Sequence, residues 1–245
     1  MKLEICAASY RSAINAQAGG AARIELCTEL AVGGLTPSYG CIKQVIAALR
    51  IPVFVLIRPR SGHFSYSKEE IDLMIEDIQI CSSLGCAGIV SGVLNKDLTI
   101  DIENTKRLVA ASGDLEFTFH RAFDWVADPY LALKELVELG VDRVLSSGQA
   151  RSAEQGLEIL SKLKNQAKDR LIVLPGGGIH ANNAPLFQTA GFSEIHASAT
   201  TVDQVAYVGK IPMNSVTHFG EHLEIHSDKE RILEIQRAIV NGDRS

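Results

Sequence analysis

Gly20-Ala21-Ala22-Arg23-Ile24-Glu25-Leu26 places a glycine directly ahead of a short run with strand composition, after a segment with helical patterning. The same local grammar recurs at Gly85-Cys86-Ala87-Gly88-Ile89-Val90, at Gly140-Val141-Asp142-Arg143-Val144-Leu145 and at Gly191-Phe192-Ser193-Glu194-Ile195-His196. Glycine just past a helix end supplies the left-handed cap, and the apolar run after it reads as a buried strand. Helix starts are marked too. Ser67 with Glu70 forms a capping box ahead of Ile71, Met74, Ile75 and Ile78, which share a helical face. Ser227 with Glu230 reads the same way ahead of Ile232, Ile235 and Ile239, and Pro129 suits the first turn of the helix carrying Leu131, Leu136 and Val137.

Working outward, the remaining apolar runs complete eight predicted strands, at about 3–7, 22–26, 52–58, 86–91, 115–120, 141–146, 170–175 and 193–197. A helix-length segment follows nearly every one. Strict alternation of strand and helix implies a parallel sheet with covering helices. Eight such units in 245 residues fit a closed (β/α)8 barrel of the TIM type, in a single domain over 1–245. A doubly wound open sheet is the alternative, but no Gly-x-Gly-x-x-Gly follows the first strand. The segment around 202–226 reads as less regular.

The chain is 46% hydrophobic and 22% charged, as expected of a globular domain and not of a disordered one. With 24 Lys+Arg against 29 Asp+Glu the net charge is −5, and no basic stripe marks a nucleic-acid surface. No apolar stretch approaches the roughly 20 residues of a membrane helix. Met1 to Cys6 runs straight into the first strand without the basic region or cleavage site of a signal peptide. The cysteines Cys6, Cys27, Cys41, Cys81 and Cys86 are odd in number and include no C-x-x-C pair, so reduced thiols in a cytoplasmic protein are expected.

In such a barrel the chemistry sits at the carboxyl ends of the strands. Leu3-Glu4-Ile5-Cys6 and Ile24-Glu25-Leu26-Cys27 repeat one Glu-x-Cys pattern on neighbouring strands. Side chains two apart share a face, so with Ile5, Ile24 and Leu26 toward the helices, both carboxylates and both thiols point into the barrel. Buried carboxylates need partners, and Arg58 and His120 are the candidates. Two facing thiolates suit a soft ion such as Cu(I), while Cys41, Cys81 and Cys86 read as packing. Phe119-His120-Arg121-Ala122-Phe123-Asp124 brings an imidazole, a guanidinium and a carboxylate to the end of strand five, where general acid–base chemistry is served. Gly176-Gly177-Gly178 after strand seven, with Ser198 after strand eight, has the makings of a phosphate or anion site. His218, His222 and His226 recur every four residues, but Gly220 interrupts them, so a solvated loop is expected there.

These motifs, together with Gly33-Gly34-Leu35-Thr36-Pro37-Ser38, Ile57-Arg58-Pro59-Arg60, Ser147-Gly148 and His196-Ala197-Ser198, resemble the CutC family, named for copper homeostasis, over about the first 200 residues. The resemblance implies a TIM-type barrel, Cu(I) on Cys6 and Cys27, charged barrel residues at Glu4, Glu25, Arg58, His120 and Arg121, and a homodimer. Departures fall at His63, Ala22 and Ser146.

Two functions follow as expectations. One is a cytoplasmic copper-handling protein that binds Cu(I) through Cys6 and Cys27. The other is a barrel enzyme acting on a small anionic or phosphorylated metabolite, with Glu25, Arg58 and His120 in its site.

Overall fold

The computed structural model describes residues 1–206, 211 and 223–242. Eight strands are β1 (Lys2–Ala7), β2 (Arg23–Leu26), β3 (Val53–Leu56), β4 (Gly88–Ser91), β5 (Glu116–Phe119), β6 (Arg143–Ser146), β7 (Ile172–Pro175) and β8 (Glu194–Ala197). They pair in parallel in the order β7-β6-β5-β4-β3-β2-β1-β8, and a single parallel bridge from Gly176 to His196 links the two ends. The result is a nearly closed (β/α)8 barrel. Its covering helices are α1 (Tyr10–Ala18), α2 (Tyr39–Ala48), α3 (Lys68–Leu84), α4 (Ile102–Ser112), α5 (Pro129–Glu138), α6 (Leu157–Ala167), α7 (Ala184–Thr189) and α8 (Lys229–Gly242). Among the described residues no helix is long and apolar enough to cross a membrane.

Alternation along each strand sorts the side chains into two sets. Leu3, Ile5, Ile24, Leu26, Val53 and Val55 join the large apolar cluster that packs against the helices. Cys6, Cys27, Phe54, Leu56 and Val90 form a separate cluster inside the barrel. The parity read from Glu-x-Cys therefore holds. Gly88 makes room for the Phe54 ring, since a Cβ there would stand 2.7 Å from both that ring and the Glu116 carbonyl oxygen. The guanidinium carbons of Arg23 and Arg143 lie 5.1 and 5.2 Å from the same ring centroid.

Local signals account for most element ends. At α3 the Ser67 hydroxyl accepts from the Glu70 N–H while the Glu70 carboxylate accepts from the Ser67 N–H. Its C-terminal glycine, Gly85, takes the left-handed conformation at φ 81°. Two expectations need correction at the C-terminal end. β9 (Thr200–Gln204) pairs antiparallel with β10 (Leu223–Ser227). Ser227 is consequently in β10, donating its hydroxyl to the Cys6 carbonyl, and Asp228 caps α8 by accepting from the Arg231 N–H. His226 is buried on β10 and not on a solvated loop, because the ribbon folds that face onto α1. His218 and His222 lie outside the described residues.

Candidate functional site

The carboxyl ends of the strands surround a cavity of about 200 Å³. Its wall includes Cys6 from β1, Glu25 from β2, Arg58 beyond β3, His120 and Arg121 after β5, Gly177 and Gly178 after β7, and His196 and Ser198 at the end of β8. Glu4 and Cys27 are buried off this wall. Gly176 packs against Leu145 and His196, where a Cβ would clash.

Beneath the cavity a charge cluster joins β1, β2 and β8. His196 Nδ1 is 2.7 Å from Glu4 Oε1 and 3.6 Å from Glu25 Oε2. Arg23 donates to the other Glu4 oxygen. At the amino end of the barrel, Arg23 and Arg143 both reach Glu194, at 2.6 and 3.0 Å. Arg58 and His120, expected as the partners of Glu4 and Glu25, do not perform that task; Arg23 and His196 do. Burial pushes the Glu4 carboxyl up, but His196 and Arg23 together bring it well below the ordinary range. Glu25 has burial and the Glu4 charge against it, and His196 only partly offsets them, so it is raised to about 7. Burial works against charge on His196, yet Cys6 and the two carboxylates raise it well above its usual value.

The thiols meet as expected, with Cys6 Sγ 3.5 Å from Cys27 Sγ. Contact with Cys27, then burial, pushes the Cys6 thiol well up, so it is protonated at neutral pH. Cys81 and Cys86 are buried and Cys41 is half-buried, all outside the cavity wall.

His120 Nδ1 accepts from the Ala122 N–H at 3.2 Å, which puts the ring proton on Nε2. Burial, and then the Arg58 charge, hold it down at about 3, so the ring is neutral. Phe64 lies between them, with its ring 5.0 Å from His120 and 5.1 Å from the Arg58 guanidinium carbon. Arg58 ties two loops together by donating to the carbonyls of Val32, Gly34 and Gly62 at 2.8–2.9 Å. Arg121 donates to Asp124 and to the Ser147 hydroxyl, at 2.7 and 2.8 Å. Gly177 passes this side chain so closely that a Cβ would be 3.4 Å from it, with φ at +106°.

His196 and Arg23 are the functional candidates that sequence reasoning passed over. A signal existed: Glu194-Ile195-His196 repeats the Glu-x-Cys pattern of β1 and β2, with histidine in the thiol position.

The CutC family model matches residues 1–201. The chain belongs to the CutC family. It is 48% identical over 198 residues to the mouse copper homeostasis protein cutC homolog, covering 80% of this chain and 73% of that one. A CutC family protein from Xylella fastidiosa is 46% identical over 241 residues, 98% of this chain and 89% of the relative. Among solved structures, a CutC protein from Streptococcus agalactiae superposes with a TM-score of 0.77 at 33% identity, covering 81% of this chain and 98% of that chain. Thiamine phosphate pyrophosphorylase from Pyrococcus furiosus, at TM-score 0.62 and 16% identity over 98% and 96% of the two chains, shares the fold alone. The eight-stranded barrel thus agrees with the Streptococcus agalactiae CutC structure.

Proposed function

We propose that the barrel mouth binds and acts on a small anionic, phosphorylated metabolite. One observation carries this reading: Glu25 Oε2, His120 Nε2 and Arg58 Nε are buried without hydrogen-bond partners, and their residues line one cavity. Each unmet buried polar group costs about 1–3 kcal/mol, a cost that a ligand supplying partners removes. The anionic end belongs at Arg121, Ser198 and the backbone of Gly177 and Gly178, where side-chain bulk is excluded. The reacting end faces Glu25 and His196, and neutral His120 offers a hydrogen bond from Nε2. Thermal unfolding with inorganic phosphate and a panel of phosphorylated metabolites tests the reading. A ligand present at about 100 times its Kd stabilises the native state by about 2.7 kcal/mol. A rise in Tm that disappears in Arg121→Leu supports the site; no shift with any anion refutes it.

A second reading has its own observation, the 3.5 Å approach of Cys6 to Cys27. Two thiolates suit Cu(I), and the copper homeostasis name carried by relatives favours this cargo. Uptake must release the Cys6 proton. Under reducing conditions, binding of about one Cu(I) that is lost in Cys6→Ser with Cys27→Ser supports it, and undiminished binding in that double variant refutes it. The same reading puts the protein in the cytoplasm, checked by cell fractionation, as a homodimer, checked by light scattering.

A further inference from the structure

We infer that the base of the cavity is a binding site for a divalent cation of the zinc class, held by Glu4 Oε1, Glu25 Oε2 and His196 Nδ1. One possible ligand atom from each of the three residues lies within 4.8 Å of those of the other two. The separations from Nδ1, 2.7 and 3.6 Å, bracket the edge of about 3.3 Å expected between ligands that each sit about 2.0–2.1 Å from a tetrahedral ion. The hydrogen bonds leave this cluster incomplete: His196 is matched to Glu4, while buried Glu25 Oε2, 3.6 Å from the ring nitrogen, has no hydrogen-bond partner. A cation at the centre satisfies all three.

The surroundings have the order of a metal site. Arg23 takes the outer oxygen of Glu4 and leaves Oε1 facing the cluster, as outer partners orient metal ligands. Glu25 and His196 are on the cavity wall, so the remaining coordination position opens into the cavity, as in catalytic zinc sites with three protein ligands. One imidazole and two carboxylates, with the Cys6 thiol beside His196, suit a borderline ion; Mg²⁺ and Ca²⁺ favour six or more oxygens. The inference goes beyond the metabolite reading and uses it only for what would face the open position.

Metal-free protein is titrated with Zn²⁺ against a chromophoric chelator, with Co²⁺ as the spectroscopic probe and circular dichroism as the folding control. About one equivalent should bind, and Glu25→Gln and His196→Asn should each weaken it by at least about tenfold. If His196→Asn fails to fold, Glu25→Gln, which keeps the side-chain shape, decides alone. The assignment is overturned if the parent binds no stoichiometric Zn²⁺ or if Glu25→Gln binds as tightly as the parent. Loss of Zn²⁺ in Cys27→Ser with retention in Glu25→Gln also overturns it by moving the ion to the thiol pair. No metabolite enters this titration, so its failure and that of the anion panel are separately visible.

Discussion

Glu25 Oε2 stands 3.6 Å from His196 Nδ1, near enough to feel the imidazolium and too far to share its proton. That proton goes to Glu4 at 2.7 Å. Two carboxylates on neighbouring strands thus receive opposite treatment from one histidine.

The first consequence is a pH dependence. Glu25 is raised from 4.5 to about 7 in the folded protein, so its contribution to stability is fully present below pH 4.5 and is lost as pH rises through 7. Metal-free Glu25→Gln should therefore match the parent near pH 5 and exceed it near pH 8, by on the order of 2–3 kcal/mol. Urea unfolding at the two pH values reads the difference; a pH-independent gap would sink the explanation.

His120 titrates in the other direction. Its folded value falls from 6.5 to about 3, so stability present above pH 6.5 declines as pH falls toward 3, where the unfolded chain takes the proton first. His120→Asn retains an oxygen able to accept from the Ala122 N–H and removes the titration. Its Tm should fall less steeply than the parent's between pH 6.5 and pH 4, and parallel curves would count against the buried neutral imidazole.

Arg58 gives a stability prediction. Its guanidinium holds the carbonyls of Val32, Gly34 and Gly62, so Arg58→Leu leaves three acceptors without their donor and frees two loops at the mouth. A loss of about 2–4 kcal/mol is expected in chemical denaturation. Stability equal to the parent's would mean that water replaces the guanidinium without cost.

At the amino end, Glu194 is the shared acceptor of Arg23 and Arg143. Glu194→Ala removes one carboxylate partner from each of two buried cations, which keep Glu4 and Glu116, and should cost about 1–3 kcal/mol. Lys2→Ala should change stability by less than about 1 kcal/mol, because that ammonium is 3.8 Å from Glu194 and its side chain is 68% exposed. Equal effects from the two substitutions would contradict the burial of this network.

Much of the cavity wall was legible because strand-end position and parity are local properties. Cys6, Glu25, His120 and Gly177 could be assigned to the mouth from the strand pattern alone. Arg58 was placed correctly, but its role was not, since the loops it binds take their course from tertiary contacts. His226 was misread because its strand exists only by pairing with Thr200–Gln204 across an intervening segment.

By itself, the sequence determined the number and order of the units, the glycine and Ser67–Glu70 helix ends, and the face on which Glu4, Cys6, Glu25 and Cys27 lie. Those follow from backbone preferences and a two-residue period, which act over a few neighbours. Only the tertiary structure decided which cation meets which carboxylate. His196 and Glu4 are 192 positions apart and touch because β8 pairs with β1 as the sheet curls round. No local pattern encodes that pairing: it is the burial of the strand faces on both sides that closes the sheet and brings the charges into one layer.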